Sequence, residues 1–464
     1  MALGDAPVSP IMRVHSSVFI IATSICALNL TNCALQNQLD ALAATKDAST
    51  DAPSNGIPQS DDASPDAGAA DSGSDTGDTT NDPGDGSTNV SNDADAGPLA
   101  GGIFPQVPTN GGSTLHNITL VTIVSSGDTF RDDLFQFGNI IATSTWWSSF
   151  APDYGLGTIT KNINIQGPAV PTNTQLDSNA LSQYIRSAVA SSPDAAIPAN
   201  PSTSNIVYML YLPKNNALQG ACTDFLGYHT SDNDGLVWGV VAHCTAEPGT
   251  TELEQMTSTG SHEIAEAATD PRDPSAYIIP QPANAPAYTG SVWSSPGQGE
   301  VGDLCDTTLW VENDFTFQRI YSNTAARAGG DPCVPAISDP YYNARAPQQW
   351  YGVRAGDTVS IPVTPWSTGT ISAGWSLTAV IGTMYASDGT ALSSQQTVFG
   401  LALNNQSKVS ITSNASIILT VTVPAEFPSG TYSIATLASI PKQARVPGES
   451  RDLLHTWPVG IYVK

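Results

Sequence analysis

A chain of 464 residues is long enough for two or three domains, yet an apolar share of 40% is too low for all of it to be packed core. The formal net charge of −26, with no basic arm anywhere, argues against nucleic acid or an anionic membrane surface as a partner.

The first segment, "MRVHSSVFIIATSICALNLTNC", has one arginine and then an apolar run from Val18 to Leu30, too short for a comfortable membrane span. It predicts an export signal over residues 1–33, with Met12 as an alternative start. "LTNC" resembles a bacterial lipobox, which makes Cys33 the candidate for lipidation, although Asn32 stands where a small residue is usual. Residues 34–100 follow as an acidic Asp/Ser/Gly/Pro run; between Lys46 and Arg131 there is no Lys or Arg. Such a composition cannot bury enough apolar surface to offset its ordering entropy, so a disordered tether is expected. If Cys33 carries lipid, that tether spaces the folded part from the membrane, the only membrane contact expected.

From about Leu115 the pattern changes. "HNITLVTIVSS" reads as a buried strand, "TFRDDLFQFGNIIATSTWWSSF" has apolar residues at helical spacing, "QLDSNALSQYIRSAVAS" is a helix capped by Asp177 or Ser178, and "SNIVYMLYLP" is a second buried strand. With the helix that follows, this order is that of an α/β or α+β domain over residues 101–345. Trp146 to Phe150 could line a groove, but a paired tryptophan in an amphipathic helix belongs more often to a core.

The segment "TELEQMTSTGSHEIAEAATDP" predicts a helix over Glu252 to Ala268, started by a capping box of Thr251 and Glu254 and stopped at Asp270-Pro271. Leu253, Met256, Gly260, Ile264 and Ala267 share one stripe; His262 and Glu266 lie on the opposite side, one turn apart. In a His-Glu-x-x-His helix the two histidines bind zinc and the glutamate is general base. Here Glu266 takes the second ligand position and Glu263 the place of the base. A carboxylate there favours harder ions, so calcium stands beside zinc as the expected cation. The bland alternative is an acidic helix with a solvated face. For a third ligand, "GQGEVGDLCD" offers Glu300 first and Asp303 second; His229 and His243, beside Cys222 and Cys244, could also be brought in by a disulfide but read more readily as structural or supporting residues, and Asp270 as part of the helix stop.

Cys222, Cys244, Cys305 and Cys333 form an even set in an exported chain, and the local pairing Cys222 with Cys244 and Cys305 with Cys333 is expected. After a boundary near "ISDPYYNARAPQQW", residues 346–464 show short alternating runs with turn residues and no helix, which predicts an immunoglobulin-like β-sandwich. There is no Gly-rich phosphate loop and no Gly-x-Ser-x-Gly elbow.

In order, "TSTWWSSFAPDYGLG", "CTDFLGYHT", "SHEIAEAATDP" and "GEVGDLC" resemble a group of exported bacterial proteins with zincin-like His-Glu-x-x-Glu helices, distantly similar to the plant EXORDIUM, or phosphate-induced, family. The resemblance covers about Leu115 to Cys333. It implies a zincin-like fold and a metallopeptidase acting on peptide or protein, at the cell surface or outside the cell, with His262, Glu266 and Glu300 or Asp303 on the ion, Glu263 as base and Tyr228, Tyr277 or Tyr288 near the oxyanion. The plant members, which lose the His-Glu pair, imply the rival reading: an inactive surface binding or adhesion protein on the same fold, stabilised by calcium. Oligomeric state is not legible.

Overall fold

The computed structural model describes residues 104–464, apart from 171–175, 216–217, 224, 247–249, 273–274, 283–284, 295–298, 307, 337–339, 371–373, 393–397 and 442–453. The predicted export signal, the lipidation candidate Cys33 and the acidic tether lie outside the described residues.

The first half is built on a five-stranded mixed sheet: β1 (Thr119–Ser125), β2 (Lys161–Gly167), β3 (Ile206–Leu212), β4 (Gly227–Ser231) and β5 (Val237–Ala242), in the order β2-β1-β3-β5-β4. All pairings are parallel except that of β4, which runs antiparallel to β5 at one edge. Strand β1 is buried on both faces and is largely apolar, with Thr122 buried among Leu120, Val121, Ile123 and Val124. Its alternation sorts two helical layers. Leu120 and Val124 join a core with α1 (Arg131–Ile141), whereas Val121 and Ile123 join Leu181, Ile185 and Val189 of α3 (Ser178–Ala190) on the other face.

The single helical run expected around Phe135 is in fact two helices, because Ser144 accepts a hydrogen bond from Trp147 N and caps α2 (Thr145–Phe150) afresh. Trp146, Trp147 and Phe150 are core. Strand β2, "KNINIQG", escaped the sequence reading because a polar edge strand carries no apolar run.

Helix α4 (Glu252–Thr269) forms as predicted, with both halves of the Thr251/Glu254 capping box present. Asp270 stops it: its carboxylate accepts from Ser275 N, Ala276 N and Ser275 Oγ. The helix packs on β3, β4 and β5 and on the hairpin β6 (Leu309–Glu312) and β7 (Phe315–Gln318), so Glu263 and Glu266 are 4% and 3% exposed. That excludes the solvated acidic face.

Strands β8 (Ile320–Tyr321) and β9 (Cys333–Val334), with α5 (Asn323–Ala328) between them, complete this half. The disulfides Cys222–Cys244 and Cys305–Cys333 are both formed, as an oxidising compartment outside the cytosol allows. Among the described residues no helix is long and apolar enough to cross a membrane.

The second half is a β-sandwich. One sheet has β10 (Tyr342–Arg345), β12 (Thr358–Ser367), β16 (Ile417–Thr422) and β14 (Gly400–Leu403); the other has β11 (Trp350–Val353), β18 (His455–Val463), β17 (Tyr432–Pro441), β13 (Trp375–Ile381) and β15 (Lys408–Ile411). Ile417, Leu419 and Val421 point inward while their neighbours point out, the alternation a two-sheet core demands. Strand β10 pairs with β12, so the sandwich starts before the boundary at residue 345. The two halves share one apolar core. Phe104 meets Trp457, Trp366 and Tyr341, Trp293 crosses Trp457 edge-on, and Tyr288 stacks on Tyr462 at 4.5 Å. Each such pair is worth about 0.5–1.5 kcal/mol beyond the area it buries.

Candidate metal centre

Helix α4 carries His262, Glu263 and Glu266 into the space between the sheet edge and the loop after residue 298. His262 Nε2 lies 2.9 Å from Glu266 Oε2, one turn on, and 3.9 Å from Asp303 Oδ1. Asp303 is set by its surroundings: its N–H donates to Glu266 Oε1, and its own Oδ2 accepts from Gly299 N and Glu300 N. The Cys305–Cys333 bridge anchors this loop two residues further on.

The tautomer of His262 follows from a hydrogen-bond chain. Gln318 Nε2 donates to Gly302 O at 2.8 Å, so Gln318 Oε1 is an acceptor, and His262 Nδ1 at 3.0 Å must donate to it. Gln318 N donates in turn to Ser261 Oγ, next to His262. In the neutral ring this leaves the Nε2 lone pair facing the carboxylates, the orientation that a second-sphere partner gives to a metal-binding imidazole. Gly302 makes the fit possible: a Cβ there would stand 2.7 Å from Glu266 Oε1 and 2.8 Å from His262 Nδ1.

The sheet edge adds His229, which the sequence offers as a further ligand candidate but more readily as a structural residue. His229 on β4 places Nδ1 3.5 Å from Glu263 Oε2 and 3.6 Å from Glu266 Oε2, and Nε2 3.6 Å from Glu300 Oε1. Its side chain is 5% exposed and its Nε2 has no hydrogen-bond partner. Thus both third-ligand candidates, Glu300 and Asp303, reach the cluster, on different sides. Gly227, also on β4, lets Glu263 lie close; a Cβ there would be 2.9 Å from Glu263 Oε1.

The other candidates are engaged elsewhere. Tyr228, one residue from His229, points through the sheet to Phe225, Trp238 and Ser178. Tyr277 packs on Tyr154 and Tyr288 on Tyr462, so none of the three tyrosines is placed as an oxyanion donor. His243 bridges Asp128 Oδ2 at 2.8 Å and Glu252 Oε2 at 3.0 Å, a tie between the β1–α1 turn and the start of α4.

Electrostatically the cluster is a set of closely spaced, buried imidazoles and carboxylates. Burial works against charge on His229 and His262, but Glu300 and Glu266 respectively, with the neighbouring carboxylates, hold both imidazoles well above their usual range. Burial raises Glu263, and burial with Glu266 beside it pushes Asp303 well above the carboxylate range. Glu266 goes the other way: against the cost of burial, the charges of His262 and His229 hold it down to about 2. Among the described residues no Lys or Arg pairs with Glu263, Glu266 or Asp303. Imidazole and carboxylate donors, an orphaned buried ring nitrogen and a glycine-only approach together fit a divalent cation.

No family model matches this sequence, and no curated protein matches it. Among solved structures, a PapD-like domain of human CEP192 is similar at 11% identity, over 28% of this chain and 91% of that one, with a TM-score of 0.21. The Yersinia pseudotuberculosis adhesin InvE gives 12%, 32%, 35% and 0.19 in the same terms, and domain 1 of VCBP3 from Branchiostoma floridae 16%, 27%, 97% and 0.17. Likeness this slight has no bearing on function.

Proposed function

We propose that this protein is a divalent-cation-dependent hydrolase, most simply a zinc peptidase, whose first half is a zincin-like domain and whose second is an immunoglobulin-like sandwich. The observation that carries the reading is the His262–Glu266 pair at 2.9 Å on one helix, with Asp303 brought to 3.9 Å and His262 fixed by Gln318. His262, Glu266 and Asp303 would hold the ion, which supplies Lewis-acid activation of water and of a carbonyl. Glu263, the next residue on the helix, accepts the proton from the attacking water and returns it to the leaving amine. Its side chain lies close against Gly227, with His229 Nδ1 3.5 Å from its Oε2. Strand β4 is the sheet edge beside the cluster, and an extended peptide can pair with such an edge through its backbone, which supports peptide as the substrate class. Export, with Cys33 lipidated and the acidic run as spacer, completes the reading as a surface-tethered enzyme.

The carboxylate-rich donor set favours a second reading, in which calcium ties α4 to the Asp303 loop and the domain is a binding scaffold. Elemental analysis of the full chain and its His262→Ala variant tests both. Zinc lost in the variant, with cleavage of a peptide library by the native chain, supports the hydrolase. Calcium without cleavage supports the scaffold, and no cation in either would sink both.

A further inference from the structure

Around Glu266 the donors fall into two groups. His262, Glu266 and Asp303 form one, and His229, Glu266 and Glu300 the other; in each the ligating atoms lie within 4.8 Å of one another. A single ion at His262 and Asp303 accounts for the first group and leaves the second without a purpose. His229 Nε2 is 3.6 Å from Glu300 Oε1, too long for a hydrogen bond. It is close to the roughly 3.4 Å that separates two ligands each about 2.1 Å from a tetrahedral ion. The ring is 95% buried by its 5% exposure, its Nε2 has no hydrogen-bond partner, and it is aimed into the cluster.

Building on the hydrolase reading above, we propose that the cluster binds two divalent cations, zinc by its mixed imidazole and carboxylate donors, with Glu266 shared between His262/Asp303 and His229/Glu300. Such a pair would supply Lewis-acid stabilisation to the charge developing in a displacement, which extends the substrate class to phosphoesters as well as amides.

The test is stoichiometry. The full chain is stripped with chelator, reloaded with zinc, desalted and analysed for metal. Two zinc per chain are expected, falling to one in His229→Gln, to one in Asp303→Asn, and to near none in Glu266→Gln. One zinc in the native chain, kept in His229→Gln and lost in His262→Ala, overturns the second site and leaves the single-ion hydrolase standing. Two zinc retained in His229→Gln overturns the assignment of ligands, and none in the native chain overturns both proposals. Should His229→Gln not give the native melting transition, Glu300→Gln takes its place. A cobalt titration of the native chain needs no variant: the visible absorbance should break at two equivalents, and a break at one refutes the pair.

Discussion

The two halves of this molecule share an aromatic core but spend their interiors differently. The sandwich buries alternating aliphatic residues, tyrosines and a histidine, His455, set among aromatics. The mixed α/β half brings six titratable groups within a few ångströms of one another, with charge that, among the described residues, no Lys or Arg offsets at Glu263, Glu266 or Asp303. Burying a carboxylate without a partner costs several kcal/mol, so nothing in stability alone explains the second arrangement. A fold tolerates that cost where something other than the fold uses the groups. On the proposed reading, the difference assigns the chemistry to the first half.

The comparison breaks first at Glu263. Glu263→Gln should lower hydrolysis by about 10²- to 10⁴-fold, the range for loss of a general base, with unchanged metal content and melting temperature. Peptide-cleavage rates beside elemental analysis read it; retained activity would remove Glu263 from the chemistry.

The next largest effect is on stability. Replacing both Cys305 and Cys333 by alanine opens a loop of 28 residues and should cost about 2–5 kcal/mol. Because Asp303 hangs from this loop, zinc affinity should fall in the same variant. A melting transition that drops while zinc binding holds would show that the hydrogen bonds from Gly299, Glu300 and Asp303 position the ligand without the bridge.

The legible parts of the site were those encoded locally. Thr251 and Glu254 announce the start of α4 and Asp270-Pro271 its end, and a helix of known phase puts His262 and Glu266 together. The disulfides were readable from parity and spacing. His229 was not, because its position depends on register: β4 pairs His229 with Gly239 and Tyr228 with Val240, and a slip of one residue would have sent Tyr228 to the cluster and His229 through the sheet. Gln318 lies 56 residues from His262 and no local pattern links them. Tyr228, Tyr277 and Tyr288 are packed on aromatic rings, the commoner role for a tyrosine, and which way each points is likewise a long-range fact.

In the sandwich the sensitive group is His455, which burial pushes down to about 4. An ordinary histidine titrates near 6.5, so the unfolded chain takes up a proton that the fold refuses. The native state is therefore fully favoured above about pH 6.5 and loses about 3 kcal/mol as the pH falls to about 4. Urea midpoints at pH 7 and pH 4.5 should separate more in the native chain than in His455→Gln. Equal separations would assign acid sensitivity to the carboxylates of the first half instead.

The smallest change separates the two halves most cleanly, because one methyl group does different things in each. At Gly302 a Cβ would meet Glu266 Oε1 and His262 Nδ1 at under 3 Å; at Gly460 of β18 it would meet the Trp350 ring at 2.1 Å. Gly302→Ala displaces the loop from the ligands and should weaken zinc binding by about 10- to 100-fold, as disturbing the outer sphere of a metal site does, with little change in melting. Gly460→Ala overpacks a core strand and should cost about 1–3 kcal/mol while zinc binding is unchanged. Calorimetric zinc titration and thermal melts of both variants give four values. If Gly302→Ala lowers the melting temperature as much as Gly460→Ala does and leaves zinc affinity intact, the close approach of that loop serves packing, and the division of labour between the halves fails at its most local point.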